Sequence, residues 1–239
     1  MGTTKIEGQL SDGERELLTK AILGHSWKPR VVIEVGTWLG GGSTLHILRA
    51  LHRNGTGHLW GIEADHTIYE RMLQNLRAAA PETVDRFTPL FGCSQTVIPN
   101  LLAEQGPDFQ IDIAFLDGGN NPLEQITEFE LLKDRIAVDG LLMAHDARVR
   151  KGKWLVPYVS RLDNWKCELH DLSEVGLFCA RKLAPEPSPE SSRRARSHLR
   201  RLRLQPVEIA AALLPKQLCG LILQFLPRRL AASLAEGAH

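Results

Sequence analysis

Apolar positions along this chain follow two rhythms. Short β-branched runs read as strands buried on both faces, and stretches with apolar residues every three to four positions read as helices. The first rhythm falls at Val31–Val35, His58–Glu63, Phe87–Phe91, 111–117 and 140–146. Helical spacing falls between these runs. Leu17, Leu18, Ala21 and Ile22 follow a start signal in which Ser11 caps and Glu14 stands three residues on. Residues 43–51, 68–80 (closed by Pro81), 123–135 (with Leu131, Leu132 and Ile136 as core) and 158–162 give the other helices. The runs 165–170 and 175–180 read as a closing antiparallel pair around the turn 171–174. Strands that alternate with helices and end in a hairpin predict a doubly wound α/β sheet.

The stretch Val31-Val32-Ile33-Glu34-Val35-Gly36-Thr37-Trp38-Leu39-Gly40-Gly41-Gly42-Ser43 organises this plan. A strand, a glycine turn and a helix form the unit that takes nucleotide-like ligands at the open end of a parallel sheet, where glycines allow close backbone approach. A phosphate-cradling Gly-x-x-x-x-Gly-Lys-Ser/Thr loop is absent, and Trp38 interrupts a Gly-x-Gly-x-x-Gly pattern. Glu34, inside the strand end, suits a ligand with a cationic or hydrogen-bond-donating part and no pyrophosphate. Glu63 closes the next strand, where an acid can accept hydrogen bonds from both ribose hydroxyls of an adenosine ligand.

A chain of 239 residues fits one α/β domain with an appendage. A hydrophobic fraction of 43% and a charged fraction of 24% are those of a soluble globular protein. The formal net charge of +1 gives no reason to expect a nucleic-acid partner. Cys93, Cys167, Cys179 and Cys219 are scattered, without a Cys-x-x-Cys pair or a secretory signal, so reduced thiols and a cytoplasmic location are expected. No apolar run reaches the roughly 20 residues that span a bilayer. Residues 184–192 are rich in proline and polar side chains and read as a linker. Beyond them, 193–239 form a basic helical tail: Arg193, Arg194, Arg196, Arg200, Arg201 and Arg203 crowd together, and Leu218, Leu221, Ile222 and Phe225 fall on one helical face. The tail suits either peripheral membrane contact through residues 193–230 or packing on the domain or on a second copy in a homodimer.

Two motifs carry a family resemblance. Glu34-x-Gly36-x-x-x-Gly40 resembles the first motif of class I S-adenosylmethionine-dependent methyltransferases. Gly92-Cys93-Ser94-Gln95-Thr96-Val97-Ile98-Pro99-Asn100-Leu101 is similar to a stretch of catechol O-methyltransferase and its relatives that holds the adenine ring. The likeness spans residues 13–182 and implies a methyltransferase domain over 1–183. The implied fold is a doubly wound, mostly parallel seven-stranded sheet of Rossmann-like methyltransferase type, here with an α-helical C-terminal extension. The implied cofactor is S-adenosyl-L-methionine, bordered by Glu34, Gly36, Thr37, Trp38, Gly40, Ser43, Glu63, Cys93, Ser94, Gln95 and Asp117.

On the acceptor side the resemblance is broken. The catechol-type branch holds a divalent cation with an Asp after the fourth strand and an Asp-Asn pair after the fifth, and uses a lysine as base. Asp117 and Asp146 keep the two carboxylates for a magnesium-like ion, but Ala147 replaces the Asn, Asn120 the lysine and Gly119 an aromatic residue. Bacterial small-molecule O-methyltransferases, with Asp-Gly-x-His and His-Asp, are matched more closely by Asp117-Gly118-Gly119-Asn120 and His145-Asp146. Asn120, His145 and Asp146 are thus the candidate catalytic residues, and His145 is the one whose unperturbed pKa lies near neutrality. The implied activity is methyl transfer to a small-molecule acceptor at oxygen. A non-catalytic methyltransferase-like scaffold recruited through the tail is the alternative. A nicotinamide-dependent dehydrogenase is disfavoured by the missing Gly-x-Gly. Arg148, Arg150, Lys151 and Lys153 read as an acceptor lid or a solvated charged loop.

Overall fold

The structure is a computed structural model that describes residues 6–24 and 28–204. A seven-stranded sheet runs through it in the order β3-β2-β1-β4-β5-β7-β6. The strands are β1 Val31–Val35, β2 His58–Glu63, β3 Phe87–Phe91, β4 Ile111–Leu116, β5 Ile136–His145, β6 Trp165–His170 and β7 Leu177–Lys182. β1 to β5 pair in parallel, and β7 runs antiparallel to both β5 and β6. From β1 the chain winds outward through β2 and β3, then returns to the other side of β1 as β4. That reversal opens a crevice at the carboxyl ends of β1 and β4.

Alternating side chains of the strands feed two apolar layers. Val32 and Phe115 pack with Leu18 and Ile22 of α1 (Asp12–Leu23), Leu48 and Leu51 of α2 (Thr44–Asn54) and Met72 of α3 (His66–Ala79). Ile33, Val35 and Leu116 face the other way, towards Ile98 of α4 (Ser94–Gln105), Phe129 of α5 (Pro122–Leu132) and Leu155 of α6 (Gly152–Val159). The α1 start is the expected capping box: Glu14 N–H donates to Ser11 Oγ, and Ser11 N–H donates to the Glu14 carboxylate at 2.8 Å.

Among the boundaries that differ from the sequence reading, those on the acceptor side of the sheet and at the tail shift most. α5 ends at Leu132 and β5 begins at Ile136, because a register shift on β4 lets β5 start pairing early; Asp139 stands in the left-handed region beside Gly140. α6 begins at Gly152, six residues before the expected start; Gly152 and Pro157 mask a helix whose Trp154, Leu155, Tyr158 and Val159 are buried. The stretch read as a linker runs only to Ser188, which caps α7 (Pro189–Arg203) by accepting from Ser191 N–H at 3.2 Å. Ser191, Ser192 and Ala195 of α7 are buried, the helix packs against α6, and the Arg203 guanidinium lies 5.2 Å from the centre of the Trp154 ring. The beginning of the basic tail is therefore docked on the domain. The apolar face of Leu218, Leu221, Ile222 and Phe225 lies outside the described residues, as does Cys219. Among the described residues no helix is long and apolar enough to cross a membrane.

Candidate active site

The crevice at the β1/β4 switch is a cleft of about 300 Å³. Gly36, Trp38, Glu63, Cys93, Ser94, Gln95, Asp117, Asn120 and Asp146 line it, joined by Glu124, Glu128 and Lys151. Glu34, Thr37, Gly40, Ser43 and His145 do not reach its surface. A larger hollow of about 460 Å³, between α5, α6 and α7, gathers none of the strand-end acids.

The Glu63 end of the cleft is built by the turn after β1. Gly36 has φ 86°, and a Cβ there would meet Asp117 O at 2.5 Å, so glycine lets the ends of β1 and β4 close on each other. Trp38, at φ 46°, turns its N–H to Glu63 Oε2 at 2.9 Å. Glu63 Oε1 accepts from Ala64 N–H at 2.9 Å and Asp65 N–H at 3.0 Å. Three backbone donors thus fix the carboxylate, and it keeps acceptor capacity for a ligand hydroxyl.

Gly41 serves the chain itself. A Cβ on Gly41 would lie 2.3 Å from Glu7 O, because residues 6–8 cross over the turn there. Glu34 is a correction to the cation-binding role expected of it. Its carboxyl is fully buried, takes a hydrogen bond from the Ser43 hydroxyl, and points away from the cleft face that Val35 lines. Burial pushes its pKa up to about 8, against the hydrogen bonds of Ser43 and Thr44, so it holds its proton at neutral pH. Thr37, Gly40 and Ser43 likewise support the turn from behind. Ser94 Oγ donates to Glu128 Oε1 at 2.7 Å, and burial raises the Glu128 pKa to about 7.

At the other end, Asp117 and Asp146 meet a buried lysine. Lys151, only 3% exposed at the start of α6, donates to Asp117 Oδ1 at 2.8 Å and to Asp146 Oδ2 at 3.2 Å. His145 Nδ1 stands 3.2 Å from Asp117 Oδ1 and 3.4 Å from Asp146 Oδ1, while its Nε2 is 3.5 Å from Glu14 Oε2. Burial works against a charged His145, but the hydrogen bonds and charges of Asp117 and Asp146 outweigh it and push its pKa up to about 10. Burial likewise opposes ionisation of Asp146, yet His145 and Lys151 hold its pKa down at about 2. Lys151 is raised in the same way: burial pulls down, and the two aspartates win.

Three of these groups were missed in the sequence as site residues. Lys151 was grouped with the loop cations, although it immediately precedes an apolar helical face. Glu128 interrupts the buried stripe Ile126, Phe129 and Leu132 on α5. Glu14 was read only as a cap.

A divalent ion does not fit these donors as they stand. Asp117, His145 and Asp146 offer atoms within 4.8 Å of one another, the usual clustering for a metal. But Lys151 Nζ donates to Asp117 Oδ1 and to Asp146 Oδ2, so an ammonium already occupies the place of the expected metal.

A family profile described as a methyltransferase domain matches residues 33–147. Over this stretch the chain is similar to a methyltransferase domain. The match runs from β1 to just past β5 and includes every cleft-lining strand end, but not Glu14 or Lys151. Solved methyltransferases share its fold. An O-methyltransferase from Bacillus cereus in complex with SAH is 17% identical, with a TM-score of 0.57 over 73% of this chain and 82% of that one. A methyltransferase from Geobacter sulfurreducens is 19% identical, with a TM-score of 0.55 over 73% of this chain and 80% of the other. An SAH-bound methyltransferase from Podospora anserina is 12% identical, with a TM-score of 0.59 over 74% and 80%. No curated protein matches the chain significantly.

Proposed function

We propose that the chain binds S-adenosylmethionine in this cleft and transfers its methyl group to an oxygen of a small-molecule acceptor. The observation that carries the reading is the charge of the cleft: Glu63, Asp117, Glu124, Glu128 and Asp146 line it against Lys151. Such a lining favours a ligand bearing a sulfonium and an ammonium group and disfavours a phosphate. The cofactor-bound state of the B. cereus and P. anserina proteins supports the same reading.

When bound, the cofactor supplies a methyl group already activated on sulfonium sulfur. The protein therefore has chiefly to orient the partners and exclude water. Glu63 is the acceptor for the ribose hydroxyls, Cys93 and Gln95 border the adenine, and the Gly36 turn with Asp117 holds the amino-acid end. Asn120, Asp146 and Lys151 face the acceptor. His145 is enclosed by Glu14, Asp117 and Asp146, so it orients these carboxylates and does not touch the acceptor.

The three described cysteines are free thiols, which supports a reducing, cytoplasmic setting. The exposed arginines of α7 support peripheral contact with an anionic membrane surface. The deciding measurement is calorimetric titration with S-adenosylhomocysteine (SAH). Saturable binding, weakened at least about tenfold (1.4 kcal/mol) by Glu63→Ala, is expected. No heat with the folded wild-type chain overturns the reading.

A further inference from the structure

The acceptor end of the cleft contains a charged device that the methyltransferase pattern does not explain. Lys151 lies outside the matched stretch, and its Nζ sits among the ligand atoms a divalent ion would use. We propose that Lys151 is a tethered cation standing in for the divalent ion. Its ammonium joins Asp117 to Asp146 and presents its remaining N–H to the acceptor oxygen, so methyl transfer here needs no metal.

The surrounding chain is built to hold the ammonium in that position. Asp146 has φ 60°, an uncommon conformation for a non-glycine residue that folds the chain back sharply after β5. Gly152 N–H then donates to Asp146 O at 3.2 Å, closing the loop on itself. A Cβ on Gly152 would lie 2.4 Å from Ala147 O, so only glycine lets residue 151 turn in this tightly. Arg148 N–H to Val175 O at 2.8 Å and Ala147 N–H to Gly176 O at 3.2 Å pin the loop to the turn between β6 and β7. Ala147, where the resembling catechol-type enzymes carry a third ligand, is buried and has no side-chain donor atom to give.

Lys151 lies between Asp117 and Asp146, and His145 stands between these aspartates and Glu14. An ammonium has three donors; two are spent on the aspartates, and Lys151 also lines the cleft. The third is the group available to an acceptor.

The inference deepens the methyltransferase reading by indicating the acceptor class. A metal ion with open positions chelates neighbouring oxygens, as in a catechol. One N–H holds a single oxygen, which suits an isolated acidic hydroxyl such as a phenol. In the transfer, a lone pair of that oxygen forms the new C–O bond as the C–S pair returns to sulfur, and the hydroxyl proton leaves to solvent. The ammonium favours the step by attracting the oxygen in its anionic form.

The test is a manganese titration of the full chain, with free Mn²⁺ read by electron paramagnetic resonance. The wild-type chain should leave Mn²⁺ free up to about 1 mM. Lys151→Met, which keeps the apolar stem and removes the charge, should bind one Mn²⁺ at least tenfold more tightly. Adding Asp146→Ala should abolish that gain, and Lys151→Arg should not produce it. If Lys151→Met fails to melt cooperatively, Lys151→Gln is read in its place. Saturable Mn²⁺ binding by the wild type, or no gain in a folded Lys151 variant, overturns the proposal. SAH affinity of the wild type should be the same in EDTA and in Mg²⁺. Absence of SAH binding with the manganese pattern intact would overturn the methyltransferase reading and leave the tethered cation standing.

Discussion

Glu14 Oε2 and His145 Nε2 lie 3.5 Å apart, joining the first turn of α1 to the end of β5. The same carboxylate accepts from Ser11 N–H at 2.8 Å and from Ser173 Oγ at 2.6 Å. One buried acid thus caps a helix, anchors the turn before β7 and faces the histidine behind the cleft. Glu14→Ala would leave His145 with one carboxylate fewer and undo the capping box. A loss of about 3 kcal/mol is expected, the lower end for breaking a buried charge pair from one side. Urea denaturation measures it; a change below about 1 kcal/mol would show that the pair does not hold α1 to the sheet.

Ser94 and Glu128 give a second test, because Ser94 can serve either the adenine or the acid. The 2.7 Å bond from Ser94 Oγ lowers the pKa of a carboxyl that burial raises to about 7. Ser94→Ala should therefore move the Glu128 titration further up, as read by NMR of its side-chain carboxyl. The lost bond should also cost about 1–2 kcal/mol of stability. A large fall in SAH affinity with Glu128 unmoved would instead assign the hydroxyl to the cofactor.

The sheet and the convergence of Glu63, Ser94 and Gln95 on the cleft were legible in the sequence because both are written locally. Val31–Val35 and Ile111–Leu116 are short, mostly apolar, β-branched runs that read as doubly covered strands, and Glu63 closes another strand. The acceptor end was not legible because its meaning depends on where a loop turns. Lys151 resembles Arg148 and Lys153 in sequence, and only the fold-back at Asp146 and Gly152 separates it from them. Glu34 misled for the same reason: alternation along β1 places it on the face opposite Val35, so an acid in the right motif ends up buried behind the turn.

Gly41 tests whether the glycine turn serves a ligand or the chain. A Cβ there meets backbone atoms of Ile6 and Glu7 at 2.4 and 2.3 Å, and neither can yield without moving residues 6–8. Gly41→Ala should cost about 1–3 kcal/mol as an overpacking change and speed proteolysis near residues 6–10. A variant with unchanged stability and unchanged cleavage would mean that the crossing is not tight.

The pH dependence of stability should carry the signature of Glu34. Its carboxyl titrates near 4.5 when exposed and at about 8 in the fold, where burial is the main cause. Between those values the folded chain holds a proton that the unfolded chain has released. The contribution is therefore fully present below pH 4.5, shrinks as pH rises, and is lost above about 8. Glu128 adds a decline of the same sign, ending near pH 7. For Glu34 the whole window is worth at most about 5 kcal/mol, at 1.36 kcal/mol per pKa unit. Glu34→Gln keeps an oxygen for the Ser43 hydroxyl and removes the titration. Denaturation at pH 5, 6.5 and 8 should show a flatter profile for the variant, with its stability relative to wild type improving as pH rises. If the two profiles run parallel, the buried carboxyl is ionised in the fold across this range, and a positive partner for it must be sought on the α1–α2 side of β1.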